Sequence, residues 1–154
     1  MKCLILAAGY ATRLYPLTEN FPKPLLNVGE KTILDWLIDD LEESKLINEY
    51  VVISNHKFAH HFADWAKDKA YKIIVLDDGT TSNENRLGAV KDIQFAIDKL
   101  NIQEEVLVIA GDNVLDFSLN SFVKYALEKN SSCVMRYFES SKEKLSKCGV
   151  LELD

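Results

Sequence analysis

No stretch of this 154-residue sequence reaches the ~18 uninterrupted apolar residues that a membrane-spanning helix requires. The opening MKCLILAAGYATRL resembles a signal peptide over roughly six to eight apolar residues, then runs into polar and charged sequence, so it reads as a first strand. Cysteine is scarce. Cys3, Cys133 and Cys148 are odd in number and lack metal-site spacing, as expected of reduced thiols in a cytoplasmic protein. Excess basic charge is missing too: 18 Lys and Arg face 24 Asp and Glu, a net charge of −6. That is a poor footprint for general nucleic-acid binding, although a few cations focused in one cleft could still hold an anionic small molecule. Repeats, low-complexity tracts and Pro/Ser-rich linkers are absent, which excludes disorder, collagen and coiled coil as whole-chain readings. What remains is an ordinary globular composition, 47% hydrophobic and 27% charged. It suits one domain, or part of a larger one, with a substantial core.

Short apolar runs alternate with amphipathic stretches. Cys3–Ala7, Tyr50–Ser54, Lys72–Leu76 and Val106–Ala110 read as strands apolar on both sides, the pattern of a parallel sheet covered on both faces. Thr32 is placed to cap a helix running to about Lys45, in which Leu34, Leu37, Ile38 and Leu41 share one face. Further helices are predicted over Phe58–Asp68, Leu87–Leu100 and Leu119–Lys129, and a strand over Ser132–Phe138. The alternation predicts a doubly wound α/β domain with a mostly parallel sheet and helices on both faces. Gly149–Asp154 reads as a strand in progress, as in a chain that continues, with a terminal edge strand as the other reading. An open apolar edge would favour self-association, so a homo-oligomer is within expectation.

In such folds the ligand sits outside the carboxyl ends of the strands. After the first strand comes Ala7-Ala8-Gly9-Tyr10-Ala11-Thr12-Arg13-Leu14-Tyr15-Pro16. Small residues there let backbone N–H groups approach and cradle a phosphate, and Arg13 adds a planar, permanently charged donor. A plain turn with a surface arginine is the competing reading. The loop lacks the glycines of the dinucleotide fingerprint and the Gly-Lys-Ser/Thr of a P-loop. In Phe21-Pro22-Lys23-Pro24-Leu25-Leu26, two prolines flank one lysine, and Pro24 biases Lys23 towards an extended conformation. Such a lysine is either presented to an anion or simply solvated. Asp112, just after the Val106–Ala110 strand, is placed either to hold Mg²⁺ or to form an Asx turn or helix cap. Asp116 is given the capping role.

The run from Leu6 to Leu26 closely resembles the signature of the sugar-1-phosphate nucleotidylyltransferases, LAAG-x-G-T-R-L-x-P-L-T followed by P-K-P-L-L. Gly29–Leu34 resembles the family's G-x-P-x-I/L helix start, and Gly111-Asp112-Asn113 resembles its G-D motif. The resemblance implies a Rossmann-like nucleotidyltransferase fold, with residues 1–154 as the nucleotide-binding part and the acceptor-binding part absent. It implies an enzyme that joins an NTP to a sugar 1-phosphate and releases pyrophosphate, with Mg²⁺ as cofactor. The alternatives are a choline-phosphate-type cytidylyltransferase, or a nucleotide-binding module without turnover. It implies a nucleotide held by Leu6, Ala7, Ala8, Gly9, Tyr10, Ala11, Thr12, Arg13, Lys23, Gly88 and Asp112. Arg13 would hold the β- and γ-phosphates, Lys23 would sit by the α-phosphate and the attacking phosphate, and Asp112 would hold the metal. Neither a nucleic acid nor a membrane is an expected partner.

Two departures stand out. Ala11 occupies a position where the family most often has glycine. If the backbone there needs positive φ, alanine is strained; if it needs only a small side chain, alanine is harmless. In Asn83–Val90 only Leu87-Gly88-Ala89 resembles the L-G-T-A-like run near the base, so the base is not assigned. The other candidates read as structural: His56 as a loop residue, His60 and His61 as solvated or rim residues, Asp77-Asp78 as a turn and Cys3 as core. No general base is required, because the attacking phosphate oxygen is already ionised near neutral pH.

Overall fold

Apolar runs without polar alternation are satisfied only by strands covered on both faces. The computed structural model, which describes residues 1–146 and 149–151, builds such a sheet. Its elements are β1 (Lys2–Leu6), β2 (Asn27–Val28), β3 (Lys31–Thr32), α1 (Ile33–Glu42), β4 (Glu49–Ser54), α2 (Ala59–Ala66), β5 (Ile73–Asp77), α3 (Ala89–Leu100), β6 (Val106–Ala110), α4 (Asn120–Lys129) and α5 (Lys142–Leu145). Four strands form a parallel sheet in the order β5-β4-β1-β6. Alternate residues of each strand face opposite layers. Cys3, Ile5, Tyr50, Val52 and Leu107 pack with α1, α2 and α4 through Leu34, Ile38, Phe62 and Val123. Leu4, Val51, Ile53 and Leu76 face the other way and pack on α3 through Ala96. The domain is doubly wound, with helices on both faces.

α1 forms as its sequence directs. Thr32 Oγ1 accepts from Asp35 N at 3.0 Å and Asp35 Oδ2 accepts from Thr32 N at 3.3 Å, a reciprocal capping box. Leu34, Leu37, Ile38 and Leu41 are all buried, each worth roughly 1.5–3 kcal/mol relative to exposure. The helix ends at Glu42, short of the expected Lys45, whose φ of 55° stops it. No helix among the described residues is long and apolar enough to cross a membrane.

Three expectations fail. The segment 132–138 forms no strand. A strand needs a ladder partner, and β6 pairs with β1 alone among the described residues. Ser131–Met135 instead borders a groove of about 760 Å³ along β6 and α4, while Tyr137 and Phe138 are exposed. Of the expected final strand, Gly149–Leu151 is irregular, and residues 152–154 lie outside the described residues. Asp116 caps no helix. α4 begins after Leu119 without a side-chain cap of its own, and Asp40 of α1 accepts from Leu119 N at 2.9 Å. An acceptor from a neighbouring helix does there what a local aspartate was expected to do.

Candidate functional site

The strand order reverses at β1, with β4 and β5 on one side and β6 on the other. A crevice opens at such a switch point, outside the carboxyl ends of the strands. The segments leaving the sheet there are Ala7–Arg13 and Gly111–Asn113. The register sets Leu6 opposite Ala110, and Gly111 N donates to Leu6 O at 2.9 Å. A Cβ on Gly111 would lie 2.9 Å from Ile5 Cγ2 and 3.3 Å from Leu6 O. Glycine is what lets the chain leave β6 so close to β1.

The first loop is held by Asn55 and Thr18, neither of them singled out from the sequence, and by its own Tyr10. Ala7 N donates to Ile53 O at 2.9 Å. Asn55, fully buried just after β4, donates Nδ2 to Ala8 O at 3.0 Å and accepts from Phe58 N at 3.0 Å. The hydroxyl of buried Tyr10 donates to Thr80 O at 3.1 Å. Thr18, fully buried, donates Oγ1 to Ala11 O at 2.8 Å. Asn55 carried a legible signal, a polar residue closing an apolar strand at the ligand edge; Thr18 carried none. Ala11 itself lies at φ 46°, ψ 39°, in the left-handed region. The position needs positive φ, and the alanine is strained.

A 3-10 turn, Thr12–Leu14, follows and presents Arg13 to solvent. Arg13 makes no hydrogen bond or ion pair among the described residues, so its charge is uncommitted. Lys23 departs from the extended conformation expected of it and opens a 3-10 turn, Lys23–Leu25. Pro24 fits the second position of that turn, where its missing N–H is no loss. Pro22, at ψ 135°, is the extended residue. Lys23 Nζ lies 2.9 Å from Asp112 Oδ2, joining segments 89 residues apart in sequence. The two side chains are 28% and 47% exposed, and so open a pair contributes about 0–1 kcal/mol to stability. It is weak glue, and both charges stay available to a ligand.

The end of β1, the end of β6, Lys23 and Asp112 thus meet at one edge of the sheet, and Arg13 lies exposed further along the loop that leaves β1 there. Gly88 stands apart: it precedes α3 at φ 87°, ψ 158°, and no hydrogen bond joins it to the loop among the described residues. No group of three or more His, Cys, Asp or Glu gathers as a metal site among the described residues. Asp112 offers a half-exposed carboxylate.

The remaining candidates are structural. His61 Nε2 lies 3.1 Å from Asn20 O, its ring packs 5.0 Å from that of Phe21, and burial with the neighbouring His60 holds its pKa below the usual value. With Lys57 Nζ on Glu19 O, it pins the segment between Arg13 and Lys23. His56 Nδ1 meets Asp77 at 2.6 Å. Asp77 accepts from Gly79 N, and Asp78 from Thr80 N, as expected of a turn. Burial pushes the Cys3 thiol well above its ordinary pKa, and it is inert core.

A protein of Sulfolobus acidocaldarius named as a mannose-1-phosphate guanyltransferase is 30% identical over all 154 residues, which cover 41% of its length. The solved CTP:phosphocholine cytidylyltransferase of Streptococcus pneumoniae superposes with a TM-score of 0.60 at 28% identity, over 78% of this chain and 49% of that one. A Bacillus anthracis structure named as a glucose-1-phosphate thymidylyltransferase shares the fold, with a TM-score of 0.67 at 21% identity over 83% of this chain and 50% of that one. The chain thus spans about half the length of the relatives it matches, or less. The family profile described as nucleotidyl transferase matches residues 2–154, and the chain belongs to that family.

Proposed function

We propose that this chain supplies the NTP-binding part of a sugar-1-phosphate nucleotidylyltransferase. The observation that carries the reading is the convergence of the Ala7–Arg13 loop, Lys23 and Asp112 at the β1/β6 switch point, with Lys23 Nζ 2.9 Å from Asp112. In the reaction, an ionised phosphate oxygen of the acceptor attacks the α-phosphorus of the NTP. The bond from that phosphorus to the bridging oxygen breaks, and pyrophosphate leaves with the electron pair. Attacker and NTP are both anions, so positioning and charge neutralisation dominate. Arg13 holds the β- and γ-phosphates as a planar donor. Lys23 reaches the α-phosphate and the incoming phosphate. Backbone N–H groups of Ala8–Thr12 cradle the triphosphate.

The donor set fits a divalent cation, with Mg²⁺ the ion proposed: a lone carboxylate with open space suits an ion that keeps several waters and takes further ligands from substrate phosphates. Asp112 would hold it, and when bound it would neutralise phosphate charge. Gly88, at the start of α3, is proposed to border the base.

Calorimetric titration with each NTP and Mg²⁺ tests the binding half. A pyrophosphate-release assay with sugar 1-phosphates and with phosphocholine tests the acceptor. The likeness to the phosphocholine enzyme makes that acceptor the second reading; turnover with phosphocholine alone would favour it. Absence of NTP binding would overturn the proposal.

A further inference from the structure

Asp92 lies in the first turn of α3 and keeps only 5% of its exposure. Its Oδ1 is buried with no hydrogen-bond partner. Asp78 follows β5, and its Oδ1 accepts both Thr80 N and Thr80 Oγ1 at 2.7 Å. Its other oxygen, Oδ2, is also buried and also lacks a partner. The two side chains are neighbours, each with one buried oxygen that no donor reaches. A buried acceptor with no donor is expensive, and two ionised carboxylates in contact repel. A single proton between them removes both penalties.

We propose that Asp78 and Asp92 share one proton, with Asp92 as the donor, and that this pair positions the nucleotide loop through Thr80 and Tyr10. The path is short. Asp78 Oδ1 fixes Thr80, and Thr80 O accepts both the Tyr10 hydroxyl at 3.1 Å and His56 N at 2.9 Å. Tyr10 sits inside the Ala7–Arg13 loop. Asp92 and Asp78 are positioning residues and touch no substrate. The effect on nucleotide rests on the function proposed above; the shared proton does not.

The surroundings permit the device. The residues of β1 and β4 that face α3 are Leu4, Val51 and Ile53, with uncharged Ser54 and Asn55 at the carboxyl end. The charged or titratable groups nearby are Asp77, paired with His56, then Glu84 and Tyr10, and Lys91, exposed on the outer side of α3. Burial first, then the charge and hydrogen bond of Asp78, push Asp92 up to about 6 from an ordinary 3.8. The folded state thus holds the proton more tightly than the unfolded chain. The associated stability is fully present below the ordinary value and is lost as pH rises through about 6.

The test has two arms on the full chain. In the first, without nucleotide, melting temperatures of the native protein, Asp92→Asn and Asp78→Asn are compared across pH. Either amide donates to the remaining carboxylate at every pH, and two variants guard against one failing to fold. The native protein should lose melting temperature relative to a folded variant as pH rises through 6. A difference that is flat with pH overturns the shared proton. So does full restoration of the native protein alone by Mg²⁺ at high pH, which would mean that a cation sits between the carboxylates.

In the second arm, NTP affinity is titrated at low and high pH and expressed as the ratio of native to Asp92→Asn, which cancels titration of the nucleotide itself. The native protein should weaken severalfold more than the variant at high pH. A constant ratio alongside a positive first arm overturns the link through Tyr10. If neither protein binds NTP while the first arm is positive, the functional reading fails and the shared proton stands.

Discussion

Ala11 shows how one side chain can be legible as a question and answered only by geometry. The sequence placed alanine where the resembling family favours glycine, and the backbone at φ 46° makes that substitution strained. A left-handed L-residue is penalised by about 1–2 kcal/mol, against which glycine's extra unfolded-state entropy offsets roughly 0.4–1 kcal/mol. Ala11→Gly is therefore expected to stabilise the fold by about 0.5–1 kcal/mol. A chemical denaturation series measures it, and a lower midpoint would mean the loop accommodates alanine without strain. Arg13 has no partner to lose among the described residues, so Arg13→Ala should leave stability unchanged while weakening NTP binding by ~1.5–3 kcal/mol. Lysine there should restore only part of the loss, since it lacks the planar fork. Calorimetric titration checks both, and unchanged affinity in Arg13→Ala would remove Arg13 from the site. Asp112→Asn keeps the shape and removes the charge. Normal Mg²⁺ dependence in that variant would assign Asp112 to a turn.

At the level of elements, the four core strands were legible because they bury both faces, and the four main helices because each buries one. Cys3–Ala7 is shifted by one residue at each end from the observed Lys2–Leu6, and Leu119–Lys129 differs from Asn120–Lys129 by one residue at its start. What was not legible depends on partners distant in the chain. The hairpin β2–β3 rests on two residues a side, too short for any periodicity. The 132–138 run has strand composition but joins no ladder among the described residues. The cap before α4 comes from Asp40, on another helix. In the site, Lys23 and Asp112 were visible as separate motifs, but their contact was not, and Asn55 and Thr18 hold the loop from elements with no motif. Asn55 is the most informative to remove. Asn55→Ala would leave Ala8 O buried and unpaired, at about 1–3 kcal/mol, while Phe58 N keeps its bond to the backbone O of residue 55 at 3.2 Å. Stability should fall and NTP affinity with it; Asn55→Ala at native stability would show that water replaces the side chain. Thr32→Ala, by contrast, should cost about 1 kcal/mol through the cap alone and leave NTP affinity untouched.

For the whole molecule, the decisive quantity is how much of the reaction these 154 residues can perform. They match 41% of the Sulfolobus relative and 49% of the solved phosphocholine enzyme. Under the function proposed above, Arg13, Lys23 and Asp112 would serve triphosphate recognition. A second anion must still be held in line with the α-phosphorus, and well-oriented pairs of reactants gain roughly 7–11 kcal/mol from such positioning. Among the described residues the crevice offers one lysine, Lys23, to both phosphates, and that lysine already leans on Asp112. The chain is therefore expected to bind NTP with Mg²⁺ while releasing pyrophosphate slowly, even with saturating sugar 1-phosphate. Losing even ~3 kcal/mol of positioning is about a hundredfold in rate. The measurement pairs calorimetric NTP affinity with pyrophosphate release across a series of acceptor concentrations. Slow release that never saturates would mean an acceptor held in no defined pocket. Rapid, saturable release would place the acceptor pocket inside these residues, with the half-buried groove beside Trp36, Asp40 and Val114–Ser118 the first place to mutate.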